Sequence, residues 1–284
     1  MSIVVTGATG ALGRLVVEEL LTRVPAAEVA VVVRDRTKAA ALAERGVDVR
    51  VADYDDPGAL AAAFRAGDRV LLISGNEIGR RTAQHTAVLK AALAAGAAQL
   101  AYTGVLGGPE ADFELAAEHT ATEQAVLDSG IPYTFLRNGW YHENYTDQIP
   151  SALERGAVLA SAGGGRVASA ARADYAAAAA VVLTGEGHLN RVYELSGDTA
   201  WNLAEYTAEL SAQSGREVTY TEVTPEEQLA ALTGAGVPEG FAAIIVDVDA
   251  AIARGRLAGT SGDLARLIGR PTVPLAEAIR AALA

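Results

Sequence analysis

A glycine-rich segment near the start of the chain has the composition and spacing of a phosphate-binding loop. Gly7, Gly10 and Gly13 form a GxxGxxG motif between a β-branched run at residues 2–6 and an Ala/Leu-rich run at residues 12–21. Glycines let the backbone turn tightly and approach a pyrophosphate, which then lies at the N-terminus of the following helix. A glycine-rich turn without a ligand would show the same pattern. The strand–loop–helix context favours a dinucleotide site.

The charges that follow the second predicted strand indicate which dinucleotide would bind. The strand ends in Arg34, and Lys38 follows one helical turn later. A guanidinium suits the 2′-phosphate of NADPH, whereas an acidic residue at this place suits the ribose of NADH. We therefore expect NADPH. The alternative is that Arg34 is a solvated charge and Asp35 binds a ribose hydroxyl. Asp53, after the third strand, is either an adenine contact or a turn or helix cap.

The chain lacks the residue pair with which many nicotinamide enzymes reduce a carbonyl. In a Tyr-x-x-x-Lys pair the lysine lowers the pKa of the tyrosine, which then protonates the new alkoxide. The only lysines are Lys38 and Lys90, and the residues four positions before them are Arg34 and Thr86. GxSxG and HExxH motifs are absent too, and we expect no metal. These absences favour an acceptor that needs little acid catalysis, such as a quinone.

Polar side chains cluster where the fourth to sixth predicted strands end, which is the nicotinamide end of such a site. His119 and Glu123 share one helix face and form either a surface pair or, through His119, a source of a proton. Trp140 and Tyr141 either stack on a flat aromatic substrate or plug the base of a C-terminal lobe. The candidates in this group are Ser74, Tyr102, Thr103, His119, Glu123, Arg137, Asn138, Trp140, Tyr141 and His142.

The elements that must position these residues follow a βαβ rhythm. Apolar runs predict strands at residues 2–6, 28–34, 47–51, 69–74, 99–103, 133–137 and 191–196, and a half-exposed strand at 217–223. Helical patterns cover residues 12–21, 39–45, 57–64, 83–95, 172–183 and 201–213, a helix starts at Thr224, and an amphipathic run ends the chain at 275–283. We predict an α/β fold: a Rossmann-type doubly wound parallel sheet with a smaller C-terminal substrate lobe. The NADP-binding domain would be residues 1–155, with its sheet completed by 168–200, and the lobe residues 201–284.

Composition narrows the class of protein further. The 284 residues are 50% hydrophobic and 20% charged, as in a soluble globular chain. A net charge of −12 argues against nucleic acid as a partner. The chain has no cysteine, and its longest apolar run, Tyr175–Leu183, is too short to cross a membrane. No basic segment precedes the first strand, so we expect no secretory signal and a cytoplasmic location.

Several longer strings resemble one family. They are TGATGALG at Thr6–Gly13, VVRDRTKA at Val32–Ala39, ADYDD at Ala52–Asp56, LLIS at Leu71–Ser74, YTFLRNGWYHENY at Tyr133–Tyr145, ASAARADYAAAAA at Ala168–Ala180 and VYELSGDTAW at Val192–Trp201. Over essentially its whole length the chain resembles the atypical short-chain dehydrogenases/reductases of the NmrA-like group. Within that group it is most similar to the flavin-free NADPH:quinone oxidoreductases of type 2 and the triphenylmethane reductases.

The resemblance implies roles for individual residues. NADPH would lie over the glycine loop with Arg34 on its 2′-phosphate, and Asn138–Glu143 would line the nicotinamide. Arg172 and Asp174 would position that wall. With the candidates above, the expected cofactor contacts are Gly7, Thr9, Gly10, Ala11, Leu12, Arg34, Lys38, Asp53, Ile73, Ser74, Gly75, Tyr102, Thr103, Asn138, Gly139, Trp140, Tyr141, His142 and Glu143. The expected substrate contacts are Tyr102, Trp140, Tyr141, Arg172 and Tyr193, and the catalytic candidates are His119 and Tyr141.

One departure from the family pattern bears on substrate size. Gly104 stands where relatives usually have serine, and Gly107-Gly-Pro109 departs in the same loop. These glycines would enlarge the pocket for a bigger acceptor. The resemblance implies a flavin-free NADPH-dependent reductase of quinones or similar extended aromatic acceptors. The alternatives are a tailoring reductase of a polycyclic biosynthetic intermediate or dye, and a non-catalytic NADP(H)-binding redox sensor. A homodimer is one candidate assembly.

Overall fold

Short parallel strands form the frame of the protein. The structure, a computed structural model, describes residues 2–284. Its strands are β1 (Ile3–Thr6), β2 (Val29–Val33), β3 (Asp48–Val51), β4 (Arg69–Leu72), β5 (Gln99–Val105), β6 (Tyr133–Asn138), β7 (Ala157–Ala160), β8 (Arg191–Leu195) and β9 (Thr219–Glu222). β1, β2 and β5 are buried throughout, and β4 is buried after its first residue, which is typical of strands covered on both faces of a sheet.

Seven of these strands form one sheet with the order β3-β2-β1-β4-β5-β6-β8. β1 pairs in parallel with β2 on one side and with β4 on the other. In this register Ile3 of β1 lies opposite Val29 of β2 and Arg69 of β4. The strand order therefore reverses at β1. In doubly wound sheets the crevice at the carboxyl ends of the strands at this reversal is the place where a dinucleotide binds.

Helices alternate with the strands along the chain. They are α1 (Ala11–Leu21), α2 (Ala40–Glu44), α3 (Pro57–Ala63), α4 (Arg81–Ala94), α5 (Glu114–Ser129), α6 (Glu143–Thr146), α7 (Ile149–Arg155), α8 (Arg172–Thr184), α9 (Leu203–Ser214), α10 (Pro225–Gly234), α11 (Glu239–Ala253), α12 (Asp263–Ile268) and α13 (Leu275–Leu283). α1 packs on α8, in which the alanines from Ala176 to Ala180 are buried. The opposite side of the sheet holds a core that includes Leu60, Val88, Leu100 and Phe135.

The chain divides into two compact units. The first consists of residues up to Gly108, Ala117–Asn138 and Arg172–Glu194, and carries the large sheet. The second consists of Pro109–Ala116, Gly139–Ala171 and Leu195–Ala284. It contains the parallel pair β7–β9 and the helices α9 to α13. The domain boundaries predicted at residues 155 and 201 stay a prediction.

The predicted fold class is confirmed, with strand and helix ends shifted by a few residues. Thr224 caps α10 through a capping box with Glu227, and Pro225 is in its first turn, as the sequence indicated. The run predicted at 217–223 is the strand β9. The sequence did not predict β7 or the long helix α11. Among residues 2–284, no helix is both long enough and apolar enough to cross a membrane.

Candidate functional site

The loop between β1 and α1 has the geometry of a phosphate site. Gly7 has a φ of 61°, and its carbonyl accepts a hydrogen bond of 2.9 Å from the Gly10 amide. A Cβ at Gly13 would lie 2.3 Å from the Gly7 oxygen, so only glycine lets α1 approach the loop so closely. Within residues 2–284, no side chain caps the N-terminus of α1 at Gly10. The loop therefore fits a dinucleotide pyrophosphate on the first amides of this helix.

The residues after β2 divide into an exposed cation and a capping carboxylate. Arg34 is exposed, and its Nη1 donates to Glu77 Oε1 at 3.2 Å. Asp35 Oδ1 accepts from the amide and the hydroxyl of Thr37, at 2.9 and 2.6 Å. These hydrogen bonds lower the pKa of Asp35. Its carboxylate thus caps the turn at Arg36–Ala39, and the contact of Arg34 with a 2′-phosphate stays a prediction.

Asp53 lies after β3 and forms a turn. Its Oδ1 accepts a hydrogen bond of 3.0 Å from the amide of Asp55. The cap of α3 is Asp56, which accepts from the amides of Gly58 and Ala59. The turn alternative for Asp53 is therefore correct for its side chain in this structure, and its contact with adenine stays a prediction.

The segment that follows β4 is held by side chains of three neighbouring elements. The amide of Ile73 donates to Thr6 Oγ1 at 3.2 Å, and that of Ser74 to Thr103 Oγ1 at 2.9 Å. The amide of Gly75 donates to His85 Nε2 at 3.0 Å. The structure thus brings Ile73, Ser74, Gly75 and Thr103 together at the carboxyl ends of β1, β4 and β5, where the sequence analysis expected the cofactor.

The side chain of Tyr102 lies in the buried core. Its side chain is fully buried, and its hydroxyl lies 2.7 Å from His119 Nδ1. Arg81 Nη1 lies 3.3 Å from the other ring nitrogen of His119. Because a guanidinium only donates, His119 Nε2 accepts and its Nδ1–H donates to the Tyr102 oxygen. The side chain of Tyr102 is therefore a core group, and any contact of this residue with cofactor or substrate would use its backbone.

The expectation that His119 and Glu123 form a surface pair is wrong. Both side chains are buried, and each binds a different partner. Burial lowers the pKa of His119 to about 3, with Arg81 and His85 adding to the effect, so the ring is neutral near pH 7. A neutral ring cannot serve as an imidazolium acid. The part that we propose for His119 is limited to holding Tyr102.

Glu123 belongs to an ion-pair cluster around Arg137 at the end of β6. Arg137 Nε and Nη2 donate to the two oxygens of Glu123 at 3.0 and 2.7 Å, and Nη1 donates to Glu194 Oε1 at 2.8 Å. Glu194 Oε2 also accepts from the amide of Gly107 at 2.8 Å. A Cβ at Gly108, where φ is 49°, would lie 2.2 Å from Arg137 Cζ. The loop glycines therefore make room for the guanidinium.

This cluster corrects the expectation that Gly104 enlarges a pocket. A Cβ at Gly104 would lie 2.9 Å from Glu123 Oε1 and 3.7 Å from Tyr102 Cε1. The volume of the missing side chain is filled by a carboxylate. The glycines in the sequence did indicate that this loop makes room for another group. The sequence could not show that the group is the carboxylate of Glu123.

Serine at position 104 is accordingly expected to disturb the ion pair. We expect Gly104→Ser to lower the free energy of unfolding by about 1–2 kcal/mol, because a well-packed site must shift. Denaturation in urea measures this loss, with Gly164→Ser as a control at an exposed position that has no heavy atom within 4 Å among the described residues. A variant of unchanged stability that loses affinity only for large acceptors would instead mean that Gly104 does face the substrate.

The segment after β6 belongs to the second unit, and hydrogen bonds hold both ring nitrogens of its histidine. His142 is buried, its Nε2 lies 2.8 Å from the Val273 carbonyl and its Nδ1 lies 2.8 Å from Ser169 Oγ. A carbonyl only accepts, so Nε2 carries the proton. Trp201 Nε1 donates to the same Ser169 at 2.9 Å. His142 therefore fixes the backbone of the segment, which agrees better with a structural role than with contact through its ring.

Three further residues that were predicted to contact cofactor or substrate are Trp140, Tyr141 and Tyr193. Trp140 and Tyr141 are half-buried, and Tyr141 forms a parallel bridge with Ala170. The structure directs the hydroxyl of Tyr193 to His188 Nδ1, 2.8 Å away. The His188 carbonyl accepts from Thr134 Oγ1 at the start of β6. Tyr193 is thus oriented toward the amino ends of the strands, and its expected contact with substrate stays a prediction.

The fold agrees with what similarity to known proteins indicates. The NmrA-like family profile matches residues 1–252. The chain belongs to the NmrA-like family. It is 48% identical over 277 residues to quinone oxidoreductase 2 of Escherichia coli (strain K12), a match that covers 98% of this chain and 97% of that protein.

Two solved structures resemble this NmrA-like protein along its whole length. The crystal structure of the NADPH-dependent quinone oxidoreductase from E. coli, complexed with NADPH, has a TM-score of 0.96 and covers 98% of each chain. Triphenylmethane reductase from Citrobacter sp., complexed with NADP(H), is 42% identical with a TM-score of 0.95, over 99% of this chain and all of that one. The cofactor expected from the sequence, NADP(H), is therefore confirmed for this NmrA-like protein, and its contacts with individual residues stay predictions.

The sequence did not predict a group of residues of α4 and α5 that hold the segment after β4. His85 Nε2 accepts from Gly75, so its Nδ1–H donates to Thr122 Oγ1 at 3.0 Å. Arg81 Nε donates to Glu118 Oε2 at 2.8 Å, and Glu118 Oε1 accepts from the Gly79 amide at 3.2 Å. The segment after β4 is thus anchored on α5. The spacing of Arg81 and His85 along one helix face was the signal available in the sequence.

The neutral histidines of this NmrA-like protein give its stability a defined pH dependence. Burial lowers the pKa of His85 to about 4 and that of His119 to about 3, from an ordinary value of about 6.5. The unfolded chain therefore binds more protons than the folded one below pH 6.5, and the free energy of unfolding falls as the pH falls. Asp249, whose pKa burial raises to about 6, opposes this with a smaller effect.

When the pH is lowered from 7 to 6, we expect the free energy of unfolding to fall by about 1 kcal/mol. Urea unfolding at both pH values measures this change. The variant His119→Gln lacks one of the two histidines whose pKa is lowered. Over the same pH interval we expect its free energy of unfolding to fall by less than about half as much as that of the parent. An equal loss in the variant and the parent would contradict the assignment of His119 as a buried neutral base.

Proposed function

We propose that this chain is an NADPH-dependent reductase that transfers a hydride to quinones or to similar extended aromatic acceptors. The observation that carries the proposal is the whole-length similarity, at 48% identity and a TM-score of 0.96, to an NADPH-dependent quinone oxidoreductase. The glycine loop and the exposed Arg34 supply the groups that such a cofactor requires.

The geometry of the first unit supports the cofactor contacts that we propose. The amides at Gly10–Leu12 would bind the pyrophosphate, while Arg34, with Lys38 nearby in sequence, would bind the 2′-phosphate. The Ile73–Gly75 segment, held by Thr6, Thr103 and His85, would face the nicotinamide side. When bound, NADPH supplies the hydride. The residues of the chain bind and orient NADPH.

The acceptor class follows from the proton chemistry that the chain can offer. Tyr102 and His119 are buried against each other, and no lysine follows a tyrosine at the Tyr-x-x-x-Lys spacing. Hydride addition to a quinone gives a delocalised phenolate, which water or a weak donor can protonate. We propose Tyr141 and Trp140, both half-buried, as the side chains that contact the aromatic acceptor, and Tyr141 as the weak donor.

A second candidate is the reduction of triphenylmethane dyes. The observation in its favour is the 42% identity with a triphenylmethane reductase, in a match that covers all of that chain. The two candidates share the cofactor and differ in the size of the acceptor. The cytoplasmic location and the homodimer predicted from the sequence stay predictions, and sedimentation of the purified protein tests the latter.

The test is oxidation of NADPH and of NADH by purified protein shown to contain no flavin, with simple quinones and triphenylmethane dyes offered separately. We expect turnover with NADPH and quinones, and much less with NADH. Turnover with dyes alone would favour the second candidate. Tight binding of NADPH with no acceptor reduced would contradict both and favour the sensor alternative.

A further inference from the structure

The segment between β4 and α4 carries an ion-pair chain that connects it to Arg34. We call residues 76–80 the Glu77 strap. The Glu77 carboxylate accepts hydrogen bonds from Arg34 Nη1 at 3.2 Å, from Arg80 Nη1 at 3.0 Å and from Gln84 Nε2 at 3.1 Å. Arg80 Nη2 also donates to Asp55 Oδ2 at 2.5 Å.

The place of the strap in the sheet relates it to the adenosine half of a dinucleotide. Asp55 follows β3, Arg34 follows β2 and Glu77 follows β4, and these strands lie in the order β3-β2-β1-β4. The ion-pair chain therefore links the carboxyl ends of strands on both sides of β1, whose glycine loop lies between them. This is the edge of the sheet at which the strand order reverses.

The negative charge of Glu77 makes its carboxylate compete with any phosphate that binds Arg34. A carboxylate and a phosphate both use the same donors of a guanidinium, and two anions beside one cation repel each other. The pair is exposed, with 69% of the Arg34 side chain and 35% of that of Glu77 accessible, so it is weak enough to be exchanged. Arg80 and Gln84 would keep the Glu77 carboxylate hydrogen-bonded after Arg34 leaves it.

We propose that Glu77 is a specificity-determining residue, whose carboxylate competes with the 2′-phosphate of the cofactor for Arg34 and so limits the preference for NADPH over NADH. The inference rests on the proposed function, in which Arg34 binds that phosphate. A cofactor without a 2′-phosphate need not displace Glu77. Removing the charge of Glu77 therefore sharpens the discrimination between the two cofactors.

The experiment measures dissociation constants of NADP⁺ and NAD⁺ by calorimetry, so that no acceptor is needed. The proteins are the parent, Glu77→Gln, Arg34→Ala and the double variant, with Glu226→Gln as a control for an exposed glutamate on α10. We expect Glu77→Gln to bind NADP⁺ about fivefold more tightly, as the loss of an exposed competing pair allows, and NAD⁺ within about twofold of the parent. In the Arg34→Ala background the effect of Glu77→Gln should disappear.

The outcomes separate this inference from the function on which it rests. Weaker NADP⁺ binding by Glu77→Gln would mean that Glu77 positions Arg34, which overturns the competition. A gain that persists in the Arg34→Ala background, or an equal gain for both nucleotides, would overturn it as well. An equal loss of NADP⁺ and NAD⁺ in Arg34→Ala would overturn the assignment of the phosphate to Arg34 and the competition with it, whereas turnover of NADPH with quinones would still support the proposed function. A gain specific to NADP⁺ that needs Arg34 supports both.

Discussion

Replacing Arg34 with glutamate is expected to weaken NADPH binding by about a hundredfold, while NADH binding changes by less than about threefold. A hydrogen bond between a guanidinium and a phosphate contributes about 1.5–3 kcal/mol, and the reversed charge adds repulsion to its loss. The repulsion is strengthened here because Glu77 lies 3.2 Å from the Arg34 guanidinium. The new carboxylate would stand beside an existing one, at the point where the 2′-phosphate must lie.

Dissociation constants from fluorescence titration measure the effect, and Arg216→Glu provides the control. Arg216 is an exposed arginine of the second unit, so its replacement makes the same change in net charge. A control that loses as much NADPH affinity as Arg34→Glu would show that overall charge governs binding. Equal losses of NADPH and NADH in Arg34→Glu would show that the phosphate is bound elsewhere.

The sequence predicted the frame of the site because its signals are local. The glycine motif lies between an apolar strand and a helix, and Arg34 follows directly on a strand whose residues are all buried. Within such units, chain order and the position of a strand end decide which residues reach the carboxyl edge of the sheet. The strands and the cofactor loop could therefore be derived without tertiary contacts.

The misplaced residues have a different cause. β5 is buried on both faces, so no contrast between polar and apolar positions showed that Tyr102 points into the core while Thr103 reaches Ser74. Arg137 pairs with Glu123 and Arg34 with Glu77, across 14 and 43 residues of the chain. Ion pairs over such separations are decided by tertiary packing, and spacing along a helix suggested the wrong partner for Glu123.

The sequence did not predict the helix α11 because its apolar residues do not recur with a clear helical period. Its apolar residues cover most of its circumference, and buried positions such as Ile244, Val248 and Ile252 alternate with half-exposed ones that are equally apolar. An amphipathic pattern requires polar residues on one face. α13 shows the contrary case, since its apolar and polar residues separate cleanly, and the sequence predicted it.

The second large effect concerns the glycine loop, where two glycines are expected to fail in different ways. Alanine at Gly13 would place a Cβ 2.3 Å from the Gly7 oxygen and 2.7 Å from Ala8 Cα. These are backbone atoms that cannot move aside alone. We expect Gly13→Ala to lower the free energy of unfolding by about 3 kcal/mol, at the upper end of the cost of overpacking.

Alanine at Gly10 should act on binding more than on folding. Gly10 has a φ of −76°, which any residue adopts, and its Cβ would approach the Gly7 oxygen only to 3.2 Å. We expect a loss of about 1 kcal/mol in stability. NADPH affinity should fall by about tenfold or more, since the added methyl group stands where the backbone must approach the pyrophosphate.

Thermal unfolding and NADPH titration of both variants separate the two effects, and Gly240→Ala serves as the matched control. Gly240 lies in the first turn of α11, and among the described residues no heavy atom would come within 4 Å of its Cβ. The same substitution there should leave stability unchanged or raise it slightly. A Gly13→Ala protein as stable as the parent would mean that α1 does not lie so close to the loop. A Gly10→Ala protein with unchanged NADPH affinity would remove the loop from the cofactor site, because a methyl group cannot share the space that a bound phosphate needs.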